Sequence, residues 1–107
     1  MSRLPPALAA SATPQILELL GEPPGRVLEL GFAGIHAQPL ELAGWDVVVV
    51  ESDPTHAERA RQRGAHVGER PEGRFDAVVA PVGADLEGID AARIVLVDDR
   101  GAASMSG

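Results

Sequence analysis

The 107-residue chain contains no cysteine, which removes disulfides, thiolate nucleophiles and cysteine-built zinc sites together. Metal-ligand spacing is also missing, because the three histidines, His36, His56 and His66, fall in no ligand pattern. Positive charge is scarce: 9 basic residues stand against 16 acidic ones, and the net charge of −7 opposes attraction to a phosphate backbone. The arginines near residues 59–63 are offset by Glu58 and Glu69, so nucleic acid is not the expected partner. No apolar run approaches the roughly 20 residues that cross a bilayer, so no membrane partner is expected either. The opening MSRLPPALAASA has the arginine and the alanine-rich end of a signal peptide, but its apolar part is short and broken by Pro5 and Pro6. Residues 1–13 therefore read as a flexible arm, and a cytoplasmic location follows by default.

What is present is organised around residues 26–54, RVLELGFAGIHAQPLELAGWDVVVVESDP. An apolar run ends at Gly31 and a second ends at Glu51, the pattern of two buried parallel strands whose carboxyl ends lie side by side. Before them, Thr13 followed by Pro14 predicts a capped helix start, with Ile16, Leu17, Leu19 and Leu20 as its apolar face and Gly21 as its end. Pro39 is tolerated only in a first helical turn, so the helix between the two strands is expected to start near residues 36–38 and to end at Gly44, with Leu40, Leu42 and Ala43 facing the sheet. Asp53-Pro54 caps the next helix and Gly64 closes it, with small residues Ala57 and Ala60 turned to the strands.

Further strands are expected at residues 65–68, 75–80 and 93–97, with a crossover over 81–92 that leaves room for at most a short helix. Residues 101–107 read as a disordered tail. The fold class is α/β: a Rossmann-like three-layer α/β/α sandwich over residues 14–100 with parallel strand order 3-2-1-4-5. Its switch point lies between strands one and four. The crevice there is lined by residues 31–36, 81–85 and 51–53.

The spacing of these residues implies a ligand class. Gly31 permits the tight turn off strand one, and Ala33 and Gly34 keep the loop slim enough for a ligand to meet backbone. Glu51 lies twenty residues beyond Gly31, the separation at which an acid ending strand two accepts hydrogen bonds from ribose hydroxyls. Ser52 beside it and Pro81 at the end of strand four complete the crevice. The alternative is that the glycines only punctuate turns and Glu51 is a solvated strand end.

Three segments, VLELGFAG, VVVVESDP and FDAVVAP, resemble the class I S-adenosylmethionine-dependent methyltransferases, and the likeness covers about residues 26–98. By that resemblance S-adenosylmethionine is the cofactor. Glu29 would be the strand-one acid that reaches its methionine part, Gly31, Ala33 and Gly34 the loop that approaches it, and Glu51 the ribose ligand. Glu69, after strand three, is similar in place to the acid that contacts the adenine amino group. The candidate cofactor-binding set is thus Glu29, Gly31, Ala33, Gly34, Glu51, Ser52, Glu69 and Pro81. Glu29 also disfavours a nicotinamide-type domain, where a charge beneath the pyrophosphate would be unfavourable.

The sequence departs from the family in definite places. Ala33 stands where the middle of three glycines is usual, and the loop is about one residue shorter. The stretch Pro81-Val82-Gly83-Ala84-Asp85 is not the Asn-Pro-Pro-aromatic motif of amino-methylating members. The family's antiparallel strands six and seven are expected to be missing, which would leave Ile94 and its neighbours on an exposed edge. That edge predicts a homodimer or a partner protein docked along strand five.

Catalytic candidates are few. His36 is placed to act as a base at the crevice, or simply to cap or solvate the loop. His56 and His66 read as surface, Trp45 and Phe75 as core. Asp85 either orients an acceptor or caps the turn after it, and Asp98-Asp99 reads as a metal pair or as a charged strand end. Three functions stay open: a methyltransferase acting on an unidentified acceptor with or without a partner chain, a non-catalytic scaffold or cofactor-sensing module of the same fold, and a dinucleotide-binding domain.

Overall fold

The computed structural model describes residues 11–68 and 73–106. Helix α1 (Thr13–Leu20) leads into β1 (Arg26–Leu30), followed by α2 (Ala37–Ala43), β2 (Asp46–Val50), α3 (Pro54–Gln62) and β3 (Val67–Gly68). Strands β4 (Arg74–Pro81), β5 (Asp90–Val97) and β6 (Ala103–Ser106) follow among the described residues. The sheet order is β3-β2-β1-β4-β5-β6, parallel throughout except for the antiparallel β5–β6 pair. This is the expected Rossmann-like α/β architecture, with its switch point between β1 and β4. Among the described residues no helix is long and apolar enough to cross a membrane.

The apolar runs became strands for the anticipated reason. Val27, Leu28 and Glu29 of β1 are buried, as are Ala77, Val78, Val79 and Ala80 of β4, which is the continuous burial of a central parallel strand. The three described helices contribute to one core cluster, through Ala12 and Ile16 near α1, Ala37 and Leu40 of α2, and Ala60 of α3, packed on Val27, Val49, Val79 and Val95. The opposite cluster, Leu28, Phe75 and Val78, contains no described helical residue and is covered by Leu86 and Ile89 from the β4–β5 connection. Trp45 and Phe75 are core residues, as anticipated.

Several expectations are corrected. Residues 103–106 pair with β5 instead of forming part of a disordered tail, so one antiparallel strand beyond strand five is present. The edge expected to need a partner is therefore paired within the chain. Asp98 makes this return possible: its Oδ1 accepts from the backbone N–H groups of Arg100 at 2.9 Å and Ala102 at 3.0 Å, contacts that hold its carboxyl below the usual aspartate range. Gln15 of α1 then accepts from the Ala103 N–H at 2.8 Å, tying β6 to the first helix. Asp98 is a turn residue, and no group of three or more possible metal ligands gathers among the described residues.

Thr13 does not cap α1, whose N-cap residue is Ala12 with no side-chain bond. Asp53 does cap α3, accepting from Thr55 and His56, a contact worth about 1 kcal/mol. In α2, Leu40 is buried while Leu42 is 82% exposed and Ala43 is also exposed. At 100° per residue, Leu42 lies about 200° around the helix from Leu40, so one short helix cannot turn both to the sheet. The β4–β5 connection, residues 82–89, contains turns and no helix.

Candidate functional site

The loop after β1, residues 31–36, is held from three elements. Glu29, fully buried in β1, accepts from the His36 backbone N–H through Oε1 at 3.0 Å, and the Gly34 backbone N–H also reaches its carboxylate. Glu51, just past β2, accepts from the Ala33 N–H through Oε2 at 3.3 Å. Arg63, the C-cap residue of α3, donates from Nη1 to the Ala33 carbonyl at 2.6 Å. Both sides of the Ala33 residue are thus engaged by long side chains from neighbouring elements.

Those contacts explain a local irregularity. Ala33 has φ +52°, the left-handed region that costs a side-chain-bearing residue about 1–2 kcal/mol. Such a conformation persists only where surrounding contacts determine it. Gly34 follows at φ +77°, and a Cβ there would lie 3.0 Å from the Cβ of Ala60 in α3. The small residue at position 34 is therefore required by the helix packed against the loop. The sequence had suggested slimness for a ligand; the observed neighbour is α3.

Burial controls the electrostatics. Glu29 is pushed up to about 7, chiefly because burial disfavours its charge; backbone donors at His36 and Gly34 oppose that, the nearby Glu51 adds to it and Arg63 opposes it. Its second oxygen, Oε2, is buried without a hydrogen-bond partner. His36 is also fully buried, its Nδ1 2.8 Å from Thr13 Oγ1 and its ring edge-on to Phe32 at 4.9 Å between centroids. Burial pushes the imidazole down to about 4, which leaves it neutral near pH 7, and its Nε2 has no partner. His36 is therefore neither a solvated loop residue nor a base open to the crevice, and it fastens the loop to the start of α1.

The sequence-predicted residues fall into two groups. Glu29, Ala33 and Gly34 are sealed under or within the loop, whereas Gly31, Glu51 and Pro81 are half-buried and Ser52 is exposed. Glu69 lies outside the described residues. Asp85 accepts from the Glu87 N–H at 3.0 Å and holds a turn. His66 is exposed, as expected, while His56 is partly buried beside Asp53. Arg63 and Thr13 were not recognised as parts of the loop's support. Arg63 lies 30 residues from its acceptor and Thr13 23 residues from His36, and no local motif links either pair.

A cleft of about 340 Å³ lies elsewhere, lined by Leu20, Trp45, Asp76, Ala77, Ala92 and Arg93 among others. It opens by the amino ends of the strands and is separate from this loop.

No family model matches the chain, and no curated protein matches it in sequence. Among solved structures it is similar to the glycopeptide N-methyltransferase MtfA, at 20% identity and a TM-score of 0.62, over 82% of this chain and 52% of that one. It is also similar to a dimethyladenosine transferase from Plasmodium falciparum, at 14% identity and a TM-score of 0.55, over 90% of this chain and 41% of that one. The chain therefore shares the fold of these two structures. It spans about half the length of the first of these structures and less of the second.

Proposed function

We propose that this chain is the cofactor-binding part of a methyltransferase and binds S-adenosylmethionine at the carboxyl ends of β1 and β2. The observation that carries the reading is the placement of Glu51. This half-buried carboxylate at the end of β2 touches the loop after β1, where an acid is positioned to accept from ribose hydroxyls. The Glu29 carboxylate beneath the same loop supports the reading, because it fixes the loop through the His36 and Gly34 N–H groups. The methyltransferase fold of its structural neighbours points the same way.

In this reading Glu51 and Ser52 hold the ribose side, and Gly31 and Pro81 border the crevice between β1 and β4. Glu29 anchors the loop from beneath, through the backbone N–H groups of His36 and Gly34. Bound S-adenosylmethionine supplies an electrophilic methyl group, and transfer to a good nucleophile needs positioning more than a base, so the sealed state of His36 is compatible with activity. The acceptor, and any partner chain that helps to hold it, are unassigned. A second reading, a non-catalytic scaffold or cofactor-sensing module, is favoured by the sealing of Glu29 and His36.

Calorimetry with S-adenosylmethionine, S-adenosylhomocysteine and NAD tests the proposal. Binding of the first two, weakened about tenfold or more by Glu51→Ala, is the expected result. Silence with both, or binding of NAD alone, would overturn it. Methyl-donor consumption in the presence of a cell extract then separates the enzyme from the sensor.

A further inference from the structure

We infer that Arg63 is a positioning residue for the cofactor loop: together with Glu51 it clamps the two sides of Ala33 and keeps the loop after β1 in its binding shape. The inference rests on the cofactor-binding reading above and extends it to a residue outside the binding set. Its basis is geometric. The loop contains a non-glycine residue at φ +52°, a conformation that its own sequence disfavours. Arg63 Nη1 holds the Ala33 carbonyl at 2.6 Å while Glu51 Oε2 holds the Ala33 N–H at 3.3 Å. The guanidinium also lies near enough to Glu29 to favour its charged form.

One side chain at the end of α3 thereby reaches the loop and influences the acid beneath it. The Glu51 contact links the two proposed roles of that carboxylate, since an ionised carboxylate has two oxygens and about four acceptor positions. It can brace the loop through one oxygen while taking ribose hydroxyls. Without Arg63, Ala33 relaxes to negative φ and carries Gly34 off its packing against Ala60. Cofactor then binds only the fraction of molecules whose loop is correctly formed. Because apparent affinity scales with that fraction, a loop correctly formed in one molecule in ten gives about a tenfold loss.

Three variants, Arg63→Ala, Arg63→Lys and the double variant Arg63→Ala with Ala33→Gly, are compared in two measurements. In ligand-free protein, hydrogen exchange of the Ala33 and Gly34 amides is expected to be about tenfold faster in R63A than in the unmodified chain, with the helix amides unchanged. Titration with S-adenosylhomocysteine is expected to show about a tenfold weaker Kd for R63A. R63K, which retains a donor, should stay within about threefold, and the double variant should recover most of the loss because glycine adopts positive φ without strain. Unchanged exchange at residues 33 and 34 in R63A overturns the clamp whether or not ligand binds. Equal losses in all three variants would also overturn it by making Arg63 a general stability element. If the unmodified chain binds no S-adenosylhomocysteine, the cofactor reading fails and the positioning role fails with it, while the exchange measurement still decides whether Arg63 shapes the loop.

Discussion

The two loops that flank the switch point, the walls after β1 and β4, are built by different means. The wall after β1 is sealed into the body: Phe32, Ala33, Gly34 and His36 are buried, and Glu29, Glu51, Arg63 and Thr13 converge on it from four parts of the chain. The wall after β4 is superficial. Val82 is 53% exposed, Gly83 and Asp85 are exposed, and the turn is kept by its own bonds, Ala84 N–H to Pro81 O and Glu87 N–H to Asp85 Oδ1, with one tie from Val82 N–H to Val97 O. The difference shows where the sequence has invested in a fixed shape. The β1 wall is held in one shape by the rest of the chain, whereas the β4 wall can be altered with little effect on the rest of the fold.

The largest test of this contrast uses the two glycines. Gly34 and Gly83 both have positive φ, but a Cβ at 34 would meet Ala60 at 3.0–3.2 Å and a Cβ at 83 would meet nothing within 4 Å. Gly34→Ala should therefore cost about 2–4 kcal/mol in denaturant unfolding, through backbone strain plus a forced shift of α3. Gly83→Ala should cost only the strain, about 1–2 kcal/mol. Equal losses would remove the distinction between the walls.

A smaller effect follows from the buried acid. The folded pKa of Glu29, about 7, lies above the ordinary glutamate value of 4.5, so the folded state binds the extra proton between those values and stability falls as pH rises through that window. His36 acts in the opposite sense. Its folded value near 4 lies below 6.5, the unfolded state binds the extra proton, and stability rises with pH between those values. The two partly cancel between pH 4.5 and 6.5. Glu29→Gln keeps an acceptor for the His36 N–H and removes the titration, so its stability relative to the unmodified chain should improve with rising pH, by about 3 kcal/mol between pH 4.5 and pH 8. A difference independent of pH, followed by thermal or chemical unfolding, would contradict the assignment.

The smallest expected effect concerns the far support of the same wall. Thr13→Val removes the hydroxyl 2.8 Å from His36 Nδ1 and should cost about 1–2 kcal/mol, because a buried ring nitrogen is left unpaired. Val82→Ser on the opposite wall should change stability by less than about 0.5 kcal/mol. Loss of stability at Val82 comparable to that at Thr13 would mean that the β4 wall is more tightly built than its exposure suggests.

The sequence made one kind of feature legible and hid another. Strands β1, β2 and β4 could be read because burial on both faces demands continuous apolar runs, and Asp53-Pro54 marked a helix start because cap and first-turn proline are local signals. Strand β6 could not be read. Ala-Ser-Met-Ser has little intrinsic β character and forms a strand because the β5 edge and the Asp98 turn place it there. The same distinction divides the site. The placement of Glu51 beside the loop after β1 was legible from its spacing along the chain, but Arg63 and Thr13 act across distances in sequence that no motif records. Gly34 was recognised as necessarily small, while the neighbour that requires it, Ala60, became apparent only with α3 in place.

Amide chemical-shift mapping of the isotopically labelled chain, titrated with S-adenosylhomocysteine, tests the central claim most directly. Saturable shifts centred on Gly31, Ala33, Glu51 and Ser52, with those of Gly83 and Glu87 much smaller, are the predicted result. Shifts confined to the β4–β5 connection or to the cleft beside Trp45 and Arg93, or no saturable shift at all, would contradict it.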